Sequence, residues 1–269
     1  MLVHLPIGEI SRAKMLFKDM LHNLAVVSIL SGRTPSAVMV DDVNYPRVAV
    51  TWSGYRIYVA GDVSVDVSRS LAETIAWKAK AEGSGVYVIY LAPGADSDGF
   101  MGPEGFQAVP RTRNYYEVDA TQHDWAAEPP PGYTLYMADR DLLSKGLKNT
   151  DLVINEMRSE RPTAEEFMDK SFGFCAVTGE EIACWCMSEY NTGDRFEIGI
   201  ETAVEHRRRG LALHTAKAVI GYGLTQGYRV VGWHCWSDND GSNGLARALG
   251  FNHVCEYPAI VLRRVPPNP

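Results

Sequence analysis

The amino-acid sequence predicts an α/β (α+β) protein of two domains, and three observations carry that expectation. Short apolar runs with period-two alternation or β-branched enrichment, as in Val86-Tyr-Val-Ile-Tyr-Leu91 and Phe196-Glu-Ile-Gly-Ile-Glu-Thr202, read as strands. Between them lie segments with apolar residues at helical spacing, among them 68–81 and 211–224. The organisation changes at Ala126-Ala-Glu-Pro-Pro-Pro-Gly132, where three consecutive prolines bar a regular helix and read as an extended connector. The expected domains are therefore 1–130 and 131–269.

In the N-terminal half, 12–30 reads as one helix with an apolar stripe of Met15, Leu16, Met20, Leu21, Leu24 and Ala25. Strands follow at 37–40, 48–52 and 57–60, separated by the turn signals Asn44-Tyr-Pro46 and Ser53-Gly54. A helix over 68–81 leads into the strand 86–91. After the connector, 133–137 reads as a strand and 139–147 as a short helix. Thr163-Ala-Glu-Glu166 is a capping-box pattern opening a helix to 170, because Thr163 and Glu166 would each satisfy an orphan amide. Strands at 172–177 and 182–188 are joined as a hairpin through Thr178-Gly-Glu-Glu181. The rest reads as a strand at 196–202, a turn, a helix over 211–224, a strand at 229–236, a helix over 242–249, and two strands at 253–257 and 259–263.

Composition narrows the function classes. A chain of 269 residues can bury one large core or two modest ones. Its formal net charge of −7 gives no footprint for nucleic acid. No apolar run is long enough to span a bilayer, and residues 1–30 mix Glu9 and Asp19 with Lys and Arg, unlike a secretory signal. A cytoplasmic location, with no membrane partner, is expected. The five cysteines, Cys175, Cys184, Cys186, Cys235 and Cys255, lie in or beside expected strands. Cys184-Trp-Cys186 lacks the two-residue gap of a zinc knuckle, so buried free thiols and no metal site are expected.

The most informative segment is Val204-Glu-His-Arg-Arg-Arg-Gly-Leu-Ala212, a turn between a strand and a helix. The first amides of a helix lack internal partners and its dipole is positive there, so such a turn suits phosphate. Gly210 and Ala212 keep the approach clear of bulky side chains, and Arg207, Arg208 and Arg209 add positive charge. A solvated, well-capped helix start is the other reading of the same residues.

The spacing Arg-x-x-Gly-x-Ala resembles the acyl-CoA signature of the GNAT superfamily of N-acyltransferases. Asn239-Asp-Gly-Ser242-Asn-Gly-Leu245-Ala-Arg-Ala-Leu249-Gly-Phe251 is similar to the superfamily's second element, in the expected order. Phe172-Gly-Phe-Cys175, Glu181-Ile-Ala-Cys-Trp-Cys-Met-Ser-Glu189, Val38-Met-Val-Asp-Asp42, Tyr45-Pro46 and Tyr58-Val-Ala-Gly-Asp62 resemble the bacterial GNAT family that includes zwittermicin-A resistance acetyltransferases. The resemblance implies a GNAT fold with a mixed, mostly antiparallel sheet from about Tyr133 onward. The N-terminal α/β domain is then a candidate degenerate copy. It also implies acetyl transfer from acetyl-CoA, as co-substrate, to a primary amine of a small cationic molecule. Ile200, Glu201 and Thr202 would pair with pantetheine through their backbone, Arg207, Arg208, Arg209, Gly210, Leu211 and Ala212 would hold the pyrophosphate, and Asn239 and Ser242 would lie beside the pantetheine arm.

Acetyl transfer to an ammonium group needs a base. Glu197 and Glu201 flank Gly199, with Glu189 and His234 on neighbouring strands as further candidates. Related acyltransferases often carry their base on this strand, yet the matching slots here hold Phe196 and Ile198; a bulge at Glu197 or another residue must serve. Many superfamily members place a Tyr proton donor after the Leu245 position, where this chain has Ala246. Ser242, Tyr257, His214 or solvent would replace it, or the thiolate would leave unassisted, since its conjugate acid is already moderately acidic. Acidic residues Glu180, Glu181, Glu189, Asp194, Glu197 and Glu201 are expected to border the acceptor and to favour a cationic amine. Tyr115, Tyr116, Trp125 and Tyr133 near the connector are candidates to line a cleft between the domains, with packing as the other reading. Two alternatives stay open: an N-acyltransferase acting on amino acids with other acyl-CoAs, and a non-catalytic acyl-CoA sensor or interaction module. Both a monomer and a homodimer fit the sequence.

Overall fold

A computed structural model describes residues 1–97, 100 and 102–265. Its strands and helices are β1 (Val3–His4), α1 (Ser11–Lys14), α2 (Leu24–Leu30), β2 (Val38–Val40), β3 (Val48–Ser53), β4 (Arg56–Gly61), α3 (Val65–Glu82), β5 (Val86–Tyr90), β6 (Phe106–Asp119), β7 (Thr134–Met137), α4 (Arg140–Leu143), α5 (Thr150–Glu160), α6 (Ala164–Lys170), β8 (Gly173–Thr178), β9 (Glu181–Thr192), β10 (Arg195–Thr202), α7 (Leu211–Thr225), β11 (Val230–Trp236), α8 (Asp240–Ala248) and β12 (Asn252–Arg264). The chain forms two compact units. Unit 1 holds Met1–Asn114, Trp236–Asp238 and the C-terminal segment from Cys255; unit 2 holds Tyr115–Cys235 and Asn239–Val254.

In unit 1 the strands run β1-β2-β3-β4-β5-β12. β2, β3 and β4 form an antiparallel meander, β4 and β5 pair in parallel across the α3 crossover, and β12 pairs antiparallel with β5. Ser64 caps α3, its hydroxyl accepting the Val67 amide at 3.4 Å, and left-handed Gly83 ends it. Leu71 and Ile75 of α3 pack with Val50, Ile57, Ile89, Ile260 and Leu262 of the sheet, all fully buried.

In unit 2 the order is β6-β11-β10-β9-β8-β7. β7 to β10 are antiparallel, and β10 pairs in parallel with β11 across α7. Both faces of this mixed sheet are covered. On one, Phe196 and Ile198 pack with Val219 and Ile220 of α7 and with Phe251; on the other, Val153 and Met157 of α5 and Phe167 of α6 pack on Trp185 and Met187. The succession of three antiparallel strands, a helix and a parallel strand thus occurs in both units.

Several elements differ from expectation. The helix read over 12–30 is broken into α1, a 3-10 turn at Leu16–Met20 and α2, because Asn23 is buried in an extended conformation and its carbonyl accepts the first amides of α2. β6 and α5 were not expected, and 253–263 is one strand running through Pro258. The helix expected over 139–147 spans only Arg140–Leu143. Thr163 does cap α6, but the Glu166 carboxylate bonds Lys170 at 2.7 Å instead of closing the box. The division of the chain falls within β6, not at the prolines: Tyr116, Val118, Ala120 and Trp125 belong to the unit 2 core, while β12 from Cys255 onward closes the unit 1 sheet.

Candidate active site

Parallel pairing between β10 and β11 extends only from Arg195–Val230 to Glu197–Gly232, although both strands continue. Beyond Glu197, β10 keeps its β9 partner on one side, and among the described residues the β11 register pairs do not continue along the other. A pocket of about 600 Å³ opens there, lined by Ile200, Glu201, Thr202, His206, Arg207, Arg208, Gly210, Leu211, Ala212, Leu213, Trp233, Asn239, Gly241, Ser242 and Leu245.

The far end of this groove is the turn into α7. Arg208 and Gly210 both have positive φ, 63° and 79°, the alternation that folds successive amides into a concave anion-binding nest. Gly210 is the N-cap, so no side chain covers the helix end, and its carbonyl takes the amides of Leu213 and His214. Arg207 Nε donates to the Thr202 carbonyl at 3.0 Å, tying the turn to the end of β10. Arg209 donates to the Tyr133 hydroxyl at 3.1 Å, and that hydroxyl lies 2.9 Å from His206 Nδ1. Asn239 caps α8, accepting the Ser242 amide at 3.0 Å, while Ser242 Oγ accepts Trp233 Nε1 at 3.0 Å. These two residues line the groove and also fix its wall. The matching turn of unit 1 carries Asp62 and Asp66 and is closed by the Ser64 hydroxyl, a poor setting for phosphate.

A second constellation lies on the β10 face opposite Phe196 and Ile198. The β9–β10 register shifts between Arg195 and Glu197, and Glu197 is buried with its Oε1 3.2 Å from His234 Nε2. The Tyr115 ring stacks on His234 with centroids 4.6 Å apart. Its hydroxyl donates to Glu117 Oε2 at 2.7 Å, and Arg195 donates to both groups; burial first, then the Glu117 carboxylate, push the Tyr115 pKa well up. Glu189, opposite Glu197 in the register, converges with Glu156 of α5 over Gly199. A Cβ at Gly199 would collide with Glu189 Oε1 and press on Glu156 Oε1 at 3.1 Å. Behind them Glu160 and Arg161 form an almost fully buried ion pair at 3.1 Å. Glu160 also accepts the amide of left-handed Tyr190 at 2.7 Å and the Ser171 hydroxyl at 3.1 Å, yet burial raises its pKa to about 7.

The expected site residues therefore separate into groups. The turn and groove residues come together in one pocket, with Arg209 beside it through Tyr133. Glu197 and His234 meet, whereas Glu201 is exposed at the groove rim. Phe196 and Ile198 are core residues. Of the expected acidic border, Glu189 and Glu197 face each other; Glu181 instead pairs with Lys148 at 2.9 Å, and the Asp194 carbonyl accepts the Arg229 and Val230 amides. His214 Nδ1 accepts the Glu128 amide, and Ala246 is packed in the core. Glu156 was not foreseen, since it rides on the unforeseen α5. The five cysteines are free thiols, four of them buried; burial pushes Cys175 and Cys186 well above the ordinary thiol range.

The family model described as GNAT acetyltransferase matches residues 14–260. The chain belongs to this family. Uncharacterized N-acetyltransferase YdfB from Bacillus subtilis (strain 168) is 27% identical over 254 residues, covering 92% of this chain and 93% of that protein. Among solved structures, a GCN5-related N-acetyltransferase-like protein from Streptococcus suis superposes with a TM-score of 0.70 at 20% identity, covering 95% and 99% of the two chains. A tandem GNAT protein from the clavulanic acid biosynthesis pathway gives 0.59 at 14% identity, covering 100% and 99%. The protein is thus a GNAT-type N-acetyltransferase with a mixed α/β fold, in a family that uses acetyl-CoA as co-substrate. Among the described residues no helix is long and apolar enough to cross a membrane.

Proposed function

We propose that unit 2 transfers the acetyl group of acetyl-CoA to a primary amine of a small cationic molecule in the cytoplasm. The observation that carries this reading is the groove itself, a strand edge from Ile200 to Thr202 that lies beyond the β11 pairing and ends at a glycine-capped helix start with three arginines. The fit to coenzyme A is good. Backbone groups of Ile200, Glu201 and Thr202 would take pantetheine, and the turn from Arg207 to Ala212 would take the pyrophosphate. Asn239 and Ser242 would flank the arm. An amide on the β10 edge would polarise the thioester oxygen, where negative charge develops.

Glu197 is the proposed base, with His234 positioned to orient its carboxylate or pass on the proton. Glu189 and Glu156 would attract the cationic acceptor. No side chain follows the Tyr pattern at Ala246, so the thiolate would leave and take its proton from water, a tolerable exit because thiols are moderately acidic. The motif resemblance supports placement near the zwittermicin-A resistance branch of the family. Calorimetric titration with coenzyme A tests the groove, and an amine panel read by mass spectrometry tests the chemistry. Absence of coenzyme A binding would sink the proposal. Binding without any acetylated product would favour a second reading, an acyl-CoA sensor, which the alanine at position 246 independently suggests.

A further inference from the structure

In unit 1 the parallel pairing of β4 with β5 runs from Arg56–Val88 to Tyr58–Tyr90, the carboxyl end of β5, while β4 continues to Gly61. The carboxyl ends of parallel strands are where open α/β sheets receive ligands. The chemistry there is opposite to that beside Glu197 in unit 2. Unit 2 gathers carboxylates; unit 1 gathers rings and guanidinium groups.

Tyr58, Tyr90 and Tyr257 are buried, with Tyr58–Tyr90 centroids at 5.3 Å and Tyr90–Tyr257 centroids at 6.0 Å. Arg113 joins this row. Its NH1 donates to the Tyr90 hydroxyl at 2.8 Å, and its guanidinium lies 5.4 Å from the Tyr90 ring and 5.0 Å from the Trp236 ring. Its Nε is buried with no hydrogen-bond partner. Neighbouring Arg111 lies over the same Trp236 ring at 4.4 Å but is neutralised by Asp238 at 2.6 Å. Arg113 has no carboxylate partner among the described residues; the groups around it are Tyr90, Tyr257, Tyr58 and a second cation, Arg56.

An arginine cannot escape burial by losing its proton, so a lone guanidinium keeps its full desolvation cost. Ring faces return only part of it. What completes the set is an anion, and the planar fork of arginine matches a carboxylate. The aromatic walls favour an anion attached to a flat apolar body. We propose that Arg113, with Tyr58, Tyr90, Tyr257 and Trp236, forms a ligand site in unit 1 for an organic carboxylate bearing such a body. This site is independent of the coenzyme A groove and does not rest on the acetyl-transfer reading.

The probe is benzoate, titrated into the full chain by calorimetry, with benzamide as the neutral comparator and inorganic phosphate as the non-planar anion. The expected result is saturable benzoate binding that persists at saturating coenzyme A, with weaker phosphate binding and none of benzamide. Arg113→Gln should weaken benzoate by about tenfold or more, and Arg111→Gln much less. If Arg113→Gln does not fold, as its melting curve would reveal, Arg113→Lys is used instead; it keeps the charge, loses the fork, and should also bind benzoate more weakly. Equal benzoate affinity in the folded Arg113 variant, competition by coenzyme A, equal binding of benzamide, or no binding at all would overturn the assignment.

Discussion

His234 Nε2 stands 3.2 Å from Glu197 Oε1, with both side chains more than nine-tenths buried. Glu197 belongs to the last residue pair before β10 and β11 separate, and His234 lies two residues beyond its partner Gly232. If Glu197 is the base, Glu197→Gln lowers kcat by about 10²–10⁴-fold while the KM for acetyl-CoA stays unchanged. Glu201→Gln, on the exposed rim, leaves kcat nearly intact. Full activity in the Glu197 variant, measured by steady-state kinetics, rejects the assignment.

Gly199 offers a test of the acceptor side alone. Gly199→Ala places a methyl against the Glu189 and Glu156 carboxylates. The KM for the amine should rise by about tenfold, with coenzyme A affinity unaltered. An unchanged amine KM would mean that neither carboxylate meets the substrate.

At the turn, Gly210 has φ 79°, where a side chain costs about 1–2 kcal/mol. Gly210→Ala should therefore weaken coenzyme A by roughly 5- to 30-fold by calorimetry. Arg207→Gln should weaken it as well and flatten its salt dependence, because a charge on the pyrophosphate side is lost. Identical coenzyme A affinity in both variants would move the phosphate site elsewhere.

Glu160 predicts a pH-dependent stability. Burial raises its folded pKa to about 7, above the unfolded value of 4.5. The folded state thus holds the proton more tightly, so this contribution is present below pH 4.5 and is lost as pH rises toward 7. A tenfold difference in proton affinity corresponds to about 1.4 kcal/mol, giving a loss on the order of 1–3 kcal/mol. Glu160→Gln should fold with lower stability at low pH and lack that slope in urea titrations. A parallel slope in the variant would remove Glu160 as its source.

The segment 131–269 is expected to fail as an isolated domain. It lacks β6, and with it Tyr116, Val118, Ala120 and Trp125 of the unit 2 core. Losing any one such buried side chain costs about 2–5 kcal/mol, so together they exceed the stability of a typical domain. Circular dichroism and coenzyme A binding of this fragment provide the check; a native-like, binding-competent fragment would contradict the prediction.

Sequence reading succeeded where chemistry is local. The turn from Arg207 to Ala212 encodes its strand, cap and charge within a few residues, and the β8–β9 hairpin announces itself through left-handed Gly179. It failed where partners are remote. β6 contains Pro110 and alternates Arg111 and Arg113 with Thr112, a poor autonomous strand; it forms because β11 and β12, more than a hundred residues later, supply its neighbours. α5 buries only Val153, Met157 and Glu160 fully, too sparse a stripe to stand out. The break at Asn23 was masked by apolar residues on both sides, whose periodicity continues across it. The Glu197–His234 contact depends on a register shift that no composition encodes.

The late pairing of β12 with β5 sets the order in which the unit 1 sheet can close during synthesis. β5 is translated well before Ile260 and Leu262 of β12, which seal the core beneath α3. At typical elongation speeds β5 waits on the order of ten seconds with its β12-facing edge uncovered. An open edge next to Tyr87 and Ile89 invites pairing with another nascent chain. The fold therefore places a demand for chaperone protection on β5 that is relieved only when β12 arrives.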